Sequence, residues 1–421
     1  MRRLVAVAVL VALAAACSNE PPTSQDGRRI VTFQVAGEAE EITVYRTLVA
    51  AFEMEQDDIE VELIEIADRD DHLQKLTTSF AGGEPPDVWL INFREYSQFV
   101  VRGAIDPVGS RLEEAGIEIA DYYEAPVEAF TFDDELQCMP QNISSLVVYY
   151  NKALFRQAGL PRPPDDWDWD EFRDYAIKLT TDEVKGVGID PSIIRAAPFV
   201  WSNGGEIVDD LESPSRFTLE EPAARDALEY VVGLVREDGV VPTEQELAAQ
   251  DISTRFVTGK LGMFLSSRRE TPVLRERFDL EWDVAPLPSS QQPAGILHSD
   301  AYCNSAGGPN PEDALRFIAY ATGREGQTIT ALGGRTVPSL REVSTSGAFL
   351  DPVQPPQHSE VFIDAIPSLR RTPVIPTWPE IEDIADEIFT RAFYEDDYSI
   401  DDALRELEAA TAELFEEGTE F

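Results

Sequence analysis

The amino-acid sequence predicts an α/β protein built on a parallel sheet covered by helices, with enough chain for two lobes. Three observations lead there. Segments with strand and helix periodicity alternate between residues 29 and 92. The chain is 421 residues long, more than one ordinary core accommodates. Hydrophobic residues make up 43% of it without an excess of glycine and proline, the texture of a globular protein.

The elements follow in order. Residues 29–35 form a β-rich run ending at a turn around Gly37 and Glu38. Ile42, Tyr45, Val49 and Phe52 recur at steps of three and four, so they share one helical face. Residues 59–63 alternate as a half-buried strand does, and Leu73, Leu76 and Phe80 mark a second helix that stops at Gly82-Gly83. After Pro85-Pro86, residues 87–92 read as a buried third strand. A β-α-β-α-β order implies a parallel sheet, whose ligands bind beyond the carboxyl ends of the strands. The loops at Gly37-Glu38 and Asn92-Phe93 are therefore candidate walls of a site. Residues 139–150 form a long extended run, followed at Asn151 by a helix ending at Gly159. Phe172, Tyr175, Ala176 and Leu179 share the face of another helix, with Asp170 a plausible N-cap. A strand over 261–265 and helices over 311–322 and about 379–418 complete the chain.

The net charge of −45 argues against nucleic acid, since phosphate binding needs a basic surface. At the N-terminus, Arg2 and Arg3 precede an apolar run from Leu4 to Ala16, too short to span a bilayer and fitting a signal peptide over 1–16. Ala14-Ala15-Ala16 before Cys17 resembles a bacterial lipobox, although Leu13 stands one position further from the cysteine than that pattern usually has it. Cys17 is then lipidated and opens a flexible spacer over 17–27, so that the protein is exported and anchored to the outer face of the cell membrane. Cys138 and Cys303 remain; in an oxidising compartment they form either a disulfide or two buried thiols. Neither they nor His72, His298 and His358 have a metal-site spacing, and no cofactor is expected.

Several segments, in their order, resemble the bacterial extracellular solute-binding proteins of the carbohydrate type. They are Pro85-Pro86-Asp87-Val88-Trp89, the run Val147 to Leu160, Trp169-Asp170-Glu171-Phe172, Phe256 to Met263, and Pro311 to Ile318 with Glu325-Gly326-Gln327. The resemblance implies a type II periplasmic-binding-protein fold: two discontinuous lobes joined by hinge strands, closing on a ligand. It places one lobe at 28–139 plus 298–343 and the other at 140–297 plus 344–421, with Cys138 and Cys303 both near the hinge, which favours the disulfide. It implies a monomeric receptor, not an enzyme, that binds a sugar and hands it to an ABC permease and its ATPase; Glu38, Asp300 and the two tryptophans favour a neutral mono- to trisaccharide. A polyol phosphate such as glycerol 3-phosphate is the alternative ligand, and a secreted glycoside hydrolase the rival class.

Sugar recognition needs polar groups for hydroxyls and an aromatic face for the ring. Gly37, Glu38, Glu41 and Asn92 sit at strand ends, where the two glutamates also simply suit a helix N-terminus. Asn142 and Ser144 lie on the crossover run, and the family resemblance puts ligand contacts there. Trp201, Asn203, Gly204 and Gly205 resemble a cleft-facing element with Trp201 as stacking plate; a core tryptophan before a turn is the other reading. Ser266-Ser267-Arg268 follows a strand, and Arg268 could bind an anion or lie exposed beside Arg269. His298, Asp300 and Tyr302 share the return crossover without an activated nucleophile beside them. Arg335, in Gly333-Gly334-Arg335, and Trp378 resemble two later cleft elements, with Trp378 a second candidate plate.

Overall fold

The computed structural model describes residues 22–419. Strands Arg29–Ala36, Ile59–Ile66 and Val88–Asn92 pair in parallel, with 29–36 in the middle. Helices Ala39–Glu55 and Arg69–Gly82 make the crossovers, so the predicted β-α-β-α-β order is what forms. Strand Asp300–Ser305 then enters from far along the chain, antiparallel to 88–92, and pairs also with Ile105–Asp106 and Cys138–Pro140. A second sheet joins Trp282–Ala285, Val147–Asn151, Leu261–Ser266 and Lys185–Gly188 in that order. Helix Trp169–Leu179 packs on it, and helices Pro222–Arg236 and Trp378–Tyr394 contribute to the same apolar core.

Apolar packing explains why these segments settle here. Val31, Phe33 and Val35 of the central strand are fully buried, with Phe33 against Tyr45, Tyr302 and Phe317. A second cluster collects Val148, Phe172, Val187, Phe199, Leu228, Met263, Ile388 and Phe393. Helix 169–179 begins differently from expectation. Asp168, not Asp170, is its N-cap, in a reciprocal capping box with Glu171, because Asp168 carries the extended backbone that leaves its carboxylate free to accept the Glu171 N–H. The C-terminal helical stretch is two helices, Trp378–Tyr394 and Ile400–Gly418, packed on each other. Among the described residues, no helix is long and apolar enough to cross a membrane. The signal-peptide segment, Cys17 and the start of the spacer lie outside the described residues.

Three stretches run between the two sheets side by side. Asn142 bridges Pro338, and Ser144 bridges His298. Ile143 N–H donates to Val337 at 2.9 Å, and Ser144 and His298 exchange backbone hydrogen bonds at 2.8 and 2.9 Å. The long extended run of the sequence is thus a strand end, a hinge and a second strand in succession. On the first sheet, Cys138 and Cys303 stand directly opposite each other and are joined by a disulfide.

His72 ties helix 69–82 to the first sheet. Its Nε2 lies 2.9 Å from the Leu90 carbonyl, and its Nδ1 faces Gln34 Nε2 at 3.3 Å. The imidazole is neutral: burial, with Arg69 nearby, lowers its pKa to about 4. Because this value lies below that of an unfolded histidine, the stability it contributes is complete above pH 6.5 and is lost as pH falls towards 4. Urea melts between pH 7.5 and 4 should show a loss of up to about 3 kcal/mol from this source. His72→Gln, which keeps an N–H for Leu90, should flatten that slope; an unchanged slope would refute the assignment.

Candidate functional site

The ends of the first-sheet strands, the hinge and the second lobe enclose two adjoining hollows of about 810 and 740 Å³. Strand 88–92 ends in Asn92, whose Oδ1 accepts the Arg94 N–H and so starts the next helix. Its amide turns the other way, to Asp300 Oδ1 at 3.1 Å. Asn142 donates from its amide to Asp300 Oδ2 at 3.2 Å and accepts the Asp300 N–H at 3.0 Å. Asp300 is thus gripped by two amides, one from a strand end and one from the hinge. A carboxylate held this way presents its remaining lone pairs to the hollow in a fixed direction, the geometry a ligand hydroxyl requires.

Arg335 reaches the same wall and pairs with Glu41 at 2.9 Å. Burial raises the pKa of Glu41 against the pull of Arg335; burial opposes the Arg335 cation, but Glu41, Tyr45, Asp300 and Glu38 together outweigh it and raise its pKa. Gly37 and Glu38 line the first hollow. A Cβ at Gly37 would come within 2.5 Å of Glu41 Oε2, so a side chain there would push Glu41 off Arg335. Ser144 and His298 line the second hollow, with Ser144 Oγ and His298 Nε2 buried and unpartnered. Burial, reinforced by Arg94 and Arg195, holds the His298 pKa well below its ordinary value, so the ring is neutral. The structure therefore gathers Gly37, Glu38, Glu41, Asn92, Asn142, Ser144, His298, Asp300 and Arg335 around one cleft.

The remaining candidates sit elsewhere. Trp201 is only 1% exposed, within the second core, and Arg370 covers its ring at 5.2 Å. Asn203 spends its amide on the Ala223 carbonyl at 2.9 Å and its oxygen on the Ser290 hydroxyl. Gly204 takes a φ of +77°, and a Cβ at Gly205 would lie 2.8 Å from the Ala224 nitrogen. These four residues form a close-packed turn, so the core reading of Trp201 holds and the stacking plate does not. Trp378 is likewise completely buried, its indole N–H donating to Glu382 Oε2 at 3.1 Å. It positions Glu382, which faces Arg94 at 3.5 Å.

Arg268 is neither an anion ligand nor an exposed cation. It is buried between the rings of Phe349 and Phe362 and donates to the Gly334 carbonyl and Ser359 hydroxyl at 3.0 and 3.1 Å. Burial lowers its pKa to about 9, which leaves it charged at neutral pH. Its neighbour Arg269 reaches the cleft instead, as do Arg69, Arg94, Arg195, Glu95 and Thr336, none of which the sequence singled out as ligands, and Ser267, one of the small polar residues that the family resemblance puts beside a ligand. Arg94 had one usable signal, its place two residues beyond a strand end. Arg195 had none. Among the described residues, no phenylalanine, tyrosine or tryptophan lines either hollow. Among the described residues no cluster suits a metal ion.

Comparison with known proteins agrees with this architecture. Residues 47–355 match the family model described as bacterial extracellular solute-binding protein. A putative binding protein of Brucella abortus is 25% identical over 341 residues, covering 79% of this chain and 80% of its own. A lipoprotein of Streptomyces antibioticus is 25% identical over 353 residues, covering 80% and 76%. The structure of an ABC substrate-binding protein from Listeria monocytogenes, solved in complex with cycloalternan, superposes with a TM-score of 0.84 at 23% identity, over 92% of this chain and 99% of that one.

Proposed function

Because the chain belongs to the bacterial extracellular solute-binding family and has its two-lobe type II fold, we propose that it is the receptor of an ABC importer that takes up a saccharide or polyol. The observation that carries this reading is the Asp300 carboxylate clamped by Asn92 and Asn142 at the mouth of the hinge. Hinge strands beside the clamp let the second lobe close on a bound molecule, and closure is the signal an importer reads. The cycloalternan bound by the Listeria protein supports a saccharide. We assign the lobes to 28–139 plus 298–343 and 140–297 plus 344–421, in line with the two sheets. Attachment through lipidated Cys17, suggested also by the lipoprotein among the relatives, would keep the receptor beside its permease and ATPase. The role is binding without turnover, a reading supported by the match to a solute-binding family and by the substrate-binding protein with the same fold.

A thermal-shift screen over sugars, polyols and polyol phosphates tests the reading. A ligand at about 100 times its Kd adds about 2.7 kcal/mol of stability and raises Tm. Saturable one-to-one binding with the ligand recovered intact is the expected result. Release of a hydrolysis product, or no response to any saccharide or polyol, would overturn it.

A further inference from the structure

The second hollow has a charge pattern at odds with the chain around it. The protein carries a net charge of −45, yet this hollow is lined by Arg69, Arg94, Arg195, Arg269 and Arg335 against the carboxylates of Glu41 and Asp300, a formal excess of three positive charges. Three of these arginines are closely paired with a carboxylate through Nε: Arg69 is hydrogen-bonded to Glu95 at 2.7 Å and Arg269 to Glu270 at 3.2 Å, and Arg335 is ion-paired with Glu41 at 2.9 Å. The other two are not. Arg94 lies 3.5 Å from Glu382 and Arg195 lies 3.5 Å from Asp190, and neither contact is a hydrogen bond. Both side chains are 11% exposed, and among the described residues Arg94 Nη1 and Arg195 Nε are buried without an acceptor.

Two further unsatisfied groups line the same hollow. Ser144 Oγ and His298 Nε2 have no partner, and a neutral imidazole can carry its hydrogen on Nε2. Leaving four buried donors unused is costly, and desolvated guanidinium donors most of all. One kind of group answers all four: an oxyanion, with several lone pairs and a negative charge. A neutral hydroxyl has two acceptor sites and no charge, too few to take all four donors and too weak to replace the loose contacts with Glu382 and Asp190. The missing aromatic plate points the same way, because a neutral sugar bound through its apolar face has nothing here to lie on.

Resting on the receptor reading above, we propose that the ligand is an acidic saccharide or polyol, bearing a carboxylate or a phosphate monoester. Its anionic group sits between Arg94 and Arg195, with Ser144 and His298 as further donors, while its hydroxyls bind Asp300. Arg94 belongs to the helix after the first-sheet strand 88–92, and Arg195 to the second lobe. An anion held by both draws the two lobes together, so recognition of charge and closure become one event. The overall negative charge does not prevent this, since exposed charges are screened over about 8 Å at physiological salt.

Titration calorimetry with matched probes tests the proposal: glucose, glucuronate, glucose 6-phosphate, glycerol, sn-glycerol 3-phosphate and neutral maltotriose, with acetate and inorganic phosphate as bare anions. At least one acidic probe should bind about tenfold or more tightly than its neutral parent, and more weakly as salt rises. Tighter binding of glucuronate alone assigns a carboxylate ligand; tighter binding of the phosphates alone assigns a phosphate monoester. Arg195→Gln and Arg94→Gln should each reduce the preference about tenfold or more, and Arg195→Lys should retain part of it. Arg46→Gln, which removes an exposed pair with Glu65, should leave it intact and controls for loss of net charge. Neutral probes binding as tightly as the acidic ones, or glutamine variants that fold and keep the preference, would overturn the anionic ligand and leave the receptor reading standing. Failure of every probe, neutral and acidic, would count against the receptor reading itself.

Discussion

Replacing Asp300 by alanine is expected to weaken ligand binding about 100-fold or more. The reason is geometric as much as electrostatic. Both carboxylate oxygens are already oriented by amide donors, Asn92 at 3.1 Å and Asn142 at 3.2 Å, so a ligand hydroxyl meets an acceptor that has no freedom left to lose. A hydrogen bond to a charged acceptor contributes about 1.5–3 kcal/mol, and the carboxylate can take more than one. Asp300→Ala also strands the two amides, which then turn towards the cleft and compete for water. Asp300→Asn should be intermediate, since one amide of the clamp would face an NH2 group instead of an oxygen. Titration calorimetry beside a thermal melt separates the effects: the expected result is a large rise in Kd with a modest change in Tm. Wild-type affinity in Asp300→Ala would remove the clamp from the binding site.

The second large effect concerns stability. The Cys138–Cys303 disulfide closes a loop of 165 residues that contains the whole second sheet. In the chain-entropy description, freeing a loop of that length in the unfolded state costs about 5 kcal/mol, and native disulfides commonly deliver 2–5. Both cysteines are fully buried on paired strands of the first sheet, and the pair Cys138→Ala/Cys303→Ala leaves the backbone ladder in place. The double variant should therefore fold but unfold at lower urea, by about 3–5 kcal/mol. Asp300 lies on the same strand as Cys303, tied at Asn92 and Asn142, so ligand affinity at low temperature should change little. A loss below about 1 kcal/mol would mean that the unfolded chain is already restrained without the bond.

Much of the fold is legible in the chain because its signals are local. The alternation of 59–63 and the helical spacing of Ile42, Tyr45 and Phe52 each arise within a few residues, and each segment buries the face that its period predicts. Strand 300–305 carries no comparable sign that it will lie between 88–92 and 138–140, because that pairing is decided by partners more than 160 residues away. The cap at Asp168 was displaced by two positions, since aspartates at 168 and 170 offer the same side chain and only the backbone angle chooses between them.

The candidate site divides on the same line. Glu38, Glu41 and Asn92 could be found because strand ends in a parallel sheet face the ligand by topology. Arg268 and Arg269 could not be told apart, as adjacent residues of the short 3-10 turn Arg268–Glu270 point in different directions: one lies buried between two phenylalanines, the other opens to the cleft. Trp201 and Trp378 looked suited to stacking by type, yet both fill cores. By itself, then, the sequence determined the α/β alternation, the strand-end loops and the apolar faces, all set by periodicity within one element. Which arginines face the ligand, which tryptophans are inside, and that Asp300 is clamped by Asn92 and Asn142 were decided only by the tertiary structure, because each depends on side chains that meet across distant stretches of chain.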